Sequence, residues 1–292
     1  FHVTEIIKTS LEENLRMVKE TVAYLKKRGK EVIFDAEHFF DGYKANPEYA
    51  LEVLKTAADA GADCMVLCDT NGGGFPTEIY DVIKKVKDTF KIKIGIHCHN
   101  DCGMAVANSI MAVEAGADHV QGTYIGFGER CGNANLSTII PNLQLKKNIS
   151  CIPKEKLKVL TYTARKIAEI ANISLYKREP YVGSSAFAHK GGMHIDGVCK
   201  ASKSFEHISP ECVGNKRRIL MSEVSGRNTI LEKIREINPN INKDSKETEA
   251  IIARLKELEH QGYQFEGAES TFELVIRKQL GKYQPFFALE KF

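Results

Sequence analysis

The regular alternation of short apolar runs with longer amphipathic stretches constrains this chain more than any other feature. Apolar runs end near Asp35, Asp69, His97 and Gly122, roughly 25–35 residues apart, and a helical pattern separates each from the next. That spacing reads as a βα repeat, and so long a connection calls for parallel strands rather than hairpins. The helices carry their own start and stop signals. Ser10 with Glu13 forms a capping box ahead of the stripe Leu11, Leu15, Val18, Val22 and Leu25, and Gly29 ends that helix. Asn46-Pro47 starts a helix that runs through Ala60. Pro76 starts another, with Ile79, Val82, Ile83 and Val86 at i, i+3, i+4 and i+7. Strands are expected over 30–36, 64–68, 92–99 and 118–123, a helix over 104–115, and a helix over 134–147 bent at Pro141. Phe1–Thr4 read as the tail of one more strand.

Polar residues (Glu37, Thr70, His97, His99 and Asn133) collect just after the strand ends and hardly at all before the strand starts. Parallel α/β folds gather their chemistry on that carboxyl face. The pattern favours a barrel or a doubly wound sheet, and the expected fold class is α/β, a (β/α)8 TIM barrel. A closed barrel takes about 250 residues, so four strands and a tail imply a barrel truncated at its N-terminal strands. After residue 150 the alternation stops. A helix is expected from Pro153 to about Asn172, a loop-rich stretch over 177–225, and helices over Arg227–Ile237, Ser245–His260 and Ala268–Leu280, the last stopped by Gly281. The expected division is the C-terminal part of a catalytic barrel over 1–148, a mostly α-helical linker region over 149–262, and the start of a truncated C-terminal regulatory domain over 263–292.

His97-Cys98-His99-Asn100-Asp101 is the sharpest chemical signal. Residues i and i+2 of a strand share a face, so His97 and His99 project together, either as half of a divalent-metal site or as a pair of hydrogen-bonding histidines. Cys98 falls on the opposite face, which argues against a zinc site shared with Cys102. Other roles stay open for the neighbours: Thr70 as a loop cap, Asn133 as the N-cap of the following helix, and Glu37 as the partner of a basic side chain. Gly72-Gly73-Gly74 lacks the Lys-Ser/Thr ending of a phosphate loop and reads as a turn, or as room for close approach of substrate.

With 41 basic and 38 acidic residues the chain has a net charge of +3, too balanced for a nucleic-acid or membrane partner. Eight scattered cysteines in a chain of this size point to reduced thiols and a cytoplasmic location rather than a disulfide framework.

Three motifs stand in the order seen in the 2-isopropylmalate, homocitrate and citramalate synthases: His97-Cys98-His99-Asn100-Asp101, Gly126-Phe127-Gly128-Glu129-Arg130-Cys131-Gly132-Asn133-Ala134, and Ala188-His189-Lys190-Gly191-Gly192-Met193-His194. The chain resembles that family along essentially its whole length. Asp69-Thr70-Asn71-Gly72-Gly73 and Asp35-Ala36-Glu37-His38-Phe39-Phe40-Asp41-Gly42 resemble its citramalate synthase branch. The resemblance implies an acyltransferase that condenses acetyl-CoA, as co-substrate, with an α-keto acid such as pyruvate, in branched-chain amino-acid (isoleucine) biosynthesis. It implies a divalent metal ion (Mg, Mn or Zn) on His97 and His99, with Asn133 at or near the coordination shell. Glu37 becomes an acid/base or substrate-contacting carboxylate, and Thr70 a contact for the keto acid's carboxylate. His194 becomes a catalytic residue lent to the neighbouring barrel of a homodimer.

Two departures accompany the resemblance. The family's Asp-Arg strand, which bears a third ligand, has no counterpart here, so the isolated chain is expected to be inactive. Phe205 stands where a tyrosine is usual.

Overall fold

In a computed structural model of the protein, residues 1–190, 192–220, 230–231, 234–235, 237–242, 244–265, 268–288 and 290 are described. They form two compact units, Phe1–Leu175 and Tyr176–Phe292. The first unit holds the parallel sheet: β1 (Ile33–Ala36), β2 (Cys64–Asp69), β3 (Lys93–Cys98) and β4 (His119–Gln121), in that spatial order. Every neighbouring pair is parallel, and Cys68, His97 and Gln121 lie side by side across the last three strands. The connections are helical: α1 (Leu11–Lys27) before β1, α2 (Phe39–Ala45) and α3 (Pro47–Asp59) before β2, α4 (Pro76–Thr89) before β3, and α5 (Ala105–Glu114) before β4. α6 (Leu136–Pro141) follows and passes into a wider turn at Asn142–Lys146, the bend expected at Pro141.

The caps act as their residue types dictate. Ser10 Oγ accepts the Glu13 amide at 3.1 Å and Asn46 Oδ1 accepts that of Tyr49 at 3.1 Å. All four stripe residues of α4 are buried, each contributing about 1.5–3 kcal/mol relative to exposure. They join Met65, Leu67, Ile94, Ile96 and Cys98 from one face of the sheet in the main core. Cys64, Val66 and Cys68 belong to the other face and form a separate small cluster. That face is concave. A flat sheet would put β1 and β4 about 14 Å apart, three spacings of about 4.8 Å, yet Gln121 Nε2 donates to Asp35 Oδ1 at 2.9 Å. Only a sheet curled toward that side lets two short side chains meet across it, as in a barrel.

One expectation is corrected. Phe1–Thr4 do not continue a strand: His2–Ile6 make a helical turn, closed by bonds from Glu5 N to Phe1 O and Ile7 N to His2 O, and the His2 ring stacks on His38 at 3.5 Å. The segment satisfies these backbone groups internally. The seven residues of α2 add a helix where the sequence pattern announces none. His38 takes the left-handed conformation (φ 55°) and starts a helix that buries Phe39 and Phe40.

In the second unit, β5 (Ala188–His189) pairs with β6 (Arg218–Ile219). Within the loop-rich stretch lies α8 (Gly192–Lys200), and α7 (Leu160–Ile170) closes the first unit after a 3-10 stretch from Lys154. α9 (Lys246–His260), capped by Ser245, and α10 (Glu269–Gln279) pack around Ile251, Leu255, Phe272 and Ile276. Most of the helix expected over Arg227–Ile237 lies outside the described residues.

Candidate active site

β3 delivers His97 and, one residue beyond its end, His99, with ring centroids 5.3 Å apart. The loop that follows β4 folds back over this end. Ala134 N donates to Cys98 O at 2.9 Å and Asn100 N to Gly132 O at 2.9 Å, and His99 and Asn133 form an isolated antiparallel bridge. Backbone pairing, not side-chain chance, therefore sets Asn133 beside His99. Gly132 makes the fold-back possible. Its φ is +88°, and a β-carbon there would lie 2.0 Å from Gly126 O.

The electrostatics suit a cation. Among the described residues, the buried His99 Nδ1 and Asn133 Oδ1 have no hydrogen-bond partner, which costs free energy unless something takes their lone pairs. Asn133 does not cap the next helix. Asn135 does, through its Oδ1 and the Ser137 amide at 2.9 Å, which leaves Asn133 Oδ1 free of that duty. Burial, then Arg130 and His97, hold the His99 pKa below its usual value, so its imidazole is neutral and keeps a lone pair for a metal. The residues present thus fit a divalent ion. Among the described residues, no cluster of three or more His, Cys, Asp or Glu side chains could hold one, so carboxylates add nothing to the pair of histidines here.

Thr70, just past β2, accepts the His38 amide on its Oγ1 at 2.8 Å, which ties the ends of β1 and β2 together and leaves its hydroxyl hydrogen free to donate. Glu37 is exposed at the end of β1, and no lysine or arginine among the described residues neutralises it. Cys98 points into the core, as its place on the strand requires, and burial pushes its thiol pKa far up, so it is no ligand. Gly72 is a turn at φ +63° packed against Asp101, whose Oδ2 would lie 2.4 Å from an added β-carbon. Its smallness leaves room for the Asp101 loop. His194 belongs to the second unit: it is exposed on α8, with its ring stacked on Phe205 at 4.2 Å. The first unit therefore brings together His97, His99 and Asn133, with Thr70 tied to the β1 end beside Glu37, while His194 stands in the other unit.

Sequence reasoning gave no role to the residues that brace this site. Arg130 donates to both carboxylate oxygens of Asp101, at 2.8 and 3.0 Å, and to Thr70 O at 2.6 Å, which joins the loops after β2, β3 and β4. Gln121 meets His97 at 2.9 Å. A signal for it existed: strand periodicity puts Gln121 on the face of His119, at the end of β4 where site residues gather. Asp69 is buried beneath the site. Its pKa is pushed up by burial and partly restored by the amides of Gly73 and Gly74, so it orders the turn rather than meeting solvent.

Residues 1–172 match the HMGL-like family, and residues 181–263 match the homocitrate synthase post-HMGL domain-like family. The chain belongs to the HMGL-like family. Within it, the chain is 56% identical over 292 residues to an (R)-citramalate synthase of Aquifex aeolicus, covering 100% of this chain and 55% of that protein. It is 50% identical over 289 residues to an (R)-citramalate synthase of Geobacter sulfurreducens, covering 99% and 55%. A probable 2-isopropylmalate synthase of Methanosarcina mazei is 36% identical over 269 residues, covering 90% and 50%. The chain spans about half the length of the curated relatives it matches. Among solved structures, Bacillus subtilis HMG-CoA lyase superposes with a TM-score of 0.51 at 23% identity, over 61% of this chain and 62% of that one. That likeness concerns the fold alone, and the curled parallel sheet is part of the same α/β barrel architecture.

Proposed function

We propose that this chain carries part of the active site of a metal-dependent acyltransferase that condenses acetyl-CoA with pyruvate to give (R)-citramalate and CoA. The observation that carries the reading is the pair of buried lone-pair atoms, His99 Nδ1 and Asn133 Oδ1, without hydrogen-bond partners among the described residues and set beside His97. The 44–56% identity to (R)-citramalate synthases supports pyruvate as the keto acid.

His97, His99 and Asn133 would hold a divalent ion (Mg, Mn or Zn). Once bound, it supplies a Lewis acid for the ketone of the keto acid. The chain's own residues do the rest. Thr70 keeps a free hydroxyl hydrogen to donate to the keto acid's carboxylate. Glu37, solvent-facing and unpaired, and His194, lent by the partner subunit of a homodimer, are the bases available to take a proton from the acetyl methyl group. The carbanion so made adds to the keto carbon, and hydrolysis of the thioester releases CoA. On this reading 263–292 begin a regulatory domain, and the protein works in the cytoplasm in isoleucine biosynthesis.

The test supplies the intact protein with acetyl-CoA and pyruvate, 2-ketoisovalerate or 2-ketoglutarate and measures free CoA. Release with pyruvate alone is expected. Release with 2-ketoisovalerate instead would establish the second reading, a 2-isopropylmalate synthase, which the Methanosarcina mazei relative favours. For the metal, His97→Ala should abolish Mn2+ binding measured calorimetrically, and undiminished binding would sink the ligand assignment.

A further inference from the structure

The concave face of the sheet carries a three-residue chain in which two members, Asp35 and Gln121, have no part in the reaction as proposed. His97 Nδ1 lies 2.9 Å from Gln121 Oε1, and Gln121 Nε2 lies 2.9 Å from Asp35 Oδ1. The three come from three strands: Asp35 from β1, His97 from β3 and Gln121 from β4. His97 and Gln121 are register partners, so backbone pairing holds their side chains adjacent, while the reach to Asp35 crosses the curled sheet.

The chemistry of this chain has one self-consistent arrangement. An ionised carboxylate only accepts hydrogen bonds, so the Gln121 group that faces Asp35 is the amide NH2. The other end of the amide, its carbonyl oxygen, then faces His97, and it too only accepts. His97 Nδ1 must carry the hydrogen. In a neutral imidazole the lone pair then resides on Nε2. The reversed amide would set its carbonyl oxygen against the carboxylate, two acceptors at hydrogen-bond distance with no hydrogen between them. Asp35 thus excludes the other tautomer without touching the histidine.

We propose that Asp35 and Gln121 are positioning residues: Asp35 orients the Gln121 amide, which fixes His97 as the Nδ1–H tautomer and presents its Nε2 lone pair for coordination. The part of this that concerns coordination rests on the metal reading above; the tautomer does not. The arrangement is the amide-relayed form of a general device, in which the ring nitrogen away from a metal donates to an acceptor that locks ring and tautomer. Gln121 here interposes a neutral group between the carboxylate and the imidazole. The orienting power of Asp35 reaches the ring while its charge stays one residue removed.

The test labels the histidines of the intact protein with 15N and reads two-bond 1H–15N correlations of the imidazoles without metal, with His97 assigned from its disappearance in His97→Asn. The wild type should show a protonated Nδ1 and an unprotonated Nε2. In Gln121→Met, which keeps length but cannot hydrogen-bond in the same way, the pattern should shift toward the Nε2–H form. In Asp35→Asn, whose side chain can donate as well as accept, the Gln121 amide is free to reverse and the same shift should follow. Two variants guard against a folding failure in either one. An Nε2–H tautomer in the wild type, or an unchanged Nδ1–H signal in both variants, would overturn the proposal. In a separate arm, Mn2+ should bind Gln121→Met about 10- to 100-fold more weakly than wild type. A failure of the metal reading would appear as unchanged Mn2+ affinity in His97→Asn, which is independent of the tautomer measurement.

Discussion

Replacing Gly132 by alanine tests whether the fold-back of the loop after β4 assembles the site. The added β-carbon would fall 2.0 Å from Gly126 O and 3.2 Å from Gly126 C, and the residue sits at φ +88°. Keeping the loop closed therefore carries a left-handed penalty of about 1–2 kcal/mol and an overpacking penalty of about 1–3 kcal/mol. Letting the turn open at residue 132 alone, with Ala134 N kept on Cys98 O, sacrifices the bonds from Asn133 N to Gly126 O and from Asn100 N to Gly132 O. At about 0.5–1.5 kcal/mol net each, that is about 1–3 kcal/mol in all. Opening is the cheaper response by about 1–2 kcal/mol, so the variant should keep its core and lose the loop. Because Asn133 stands beside His99 only through this loop, the metal-competent form becomes the minor one, and Mn2+ affinity should fall about 5- to 30-fold. Calorimetric titration of the intact protein measures this, with Gly73→Ala as control, since nothing lies within 4 Å of a β-carbon there. The reasoning fails if Gly132→Ala binds Mn2+ within twofold of wild type while Gly73→Ala does the same.

In the second unit, the Glu206 side chain is 2% exposed and accepts from Arg217 Nε and Nη2 at 2.6 Å each, with His189 Nε2 at 3.1 Å. Burial would raise its pKa, but the bonds from Arg217 and His189 outweigh it and the net shift is downward. A depressed carboxylate stabilises the fold above its unfolded pKa of about 4.3 and loses that contribution as pH falls through the folded value. Glu206→Gln should therefore destabilise this unit by about 3 kcal/mol at pH 7, the low end for a broken buried pair because Arg217 can reach water. The difference from wild type should shrink in urea titrations below pH 4; a constant difference would contradict the ion-pair account. A thiol reagent should label Cys102, Cys131, Cys151 and Cys199, which are exposed, within minutes, and reach Cys64, Cys68 and Cys98 only on unfolding. Mass spectrometry of the labelled peptides decides, and early labelling of Cys98 would contradict its place in the core. Gly197→Ala would set a β-carbon 2.6 Å from Phe205 Cε2 and so unseat the ring that stacks on His194. If His194 acts as a base, CoA release should drop at least tenfold in that variant, whereas Phe205→Tyr, which keeps the stack, should stay within about threefold of wild type.

What the sequence revealed, and what it hid, follows from how far each interaction reaches. The strands and α4 were legible because their signals are local: the spacing of Ile79, Val82, Ile83 and Val86 records one buried face, and all four are buried. The histidine pair was legible for the same reason, since period two alone puts His97 and His99 on one side and Cys98 in the core. α2 escaped because the turn that starts it depends on a left-handed His38, a conformation that no residue pattern there announces. The braces of the site escaped for a deeper reason. Arg130 and Asp101 are 29 residues apart, and Gln121 and Asp35 are 86 apart, so only a closed topology makes them neighbours. The motif around Arg130 could be read as a string, but not that its guanidinium spans three loops at once. The Asp35–Gln121 bond adds a constraint in the other direction. It forms only if the sheet is curled, so the contact that leads through Gln121 to His97 is also a measure of the curvature that a barrel demands. A substitution that flattened the sheet would therefore reach His97 through Asp35, even with every residue near the histidine intact.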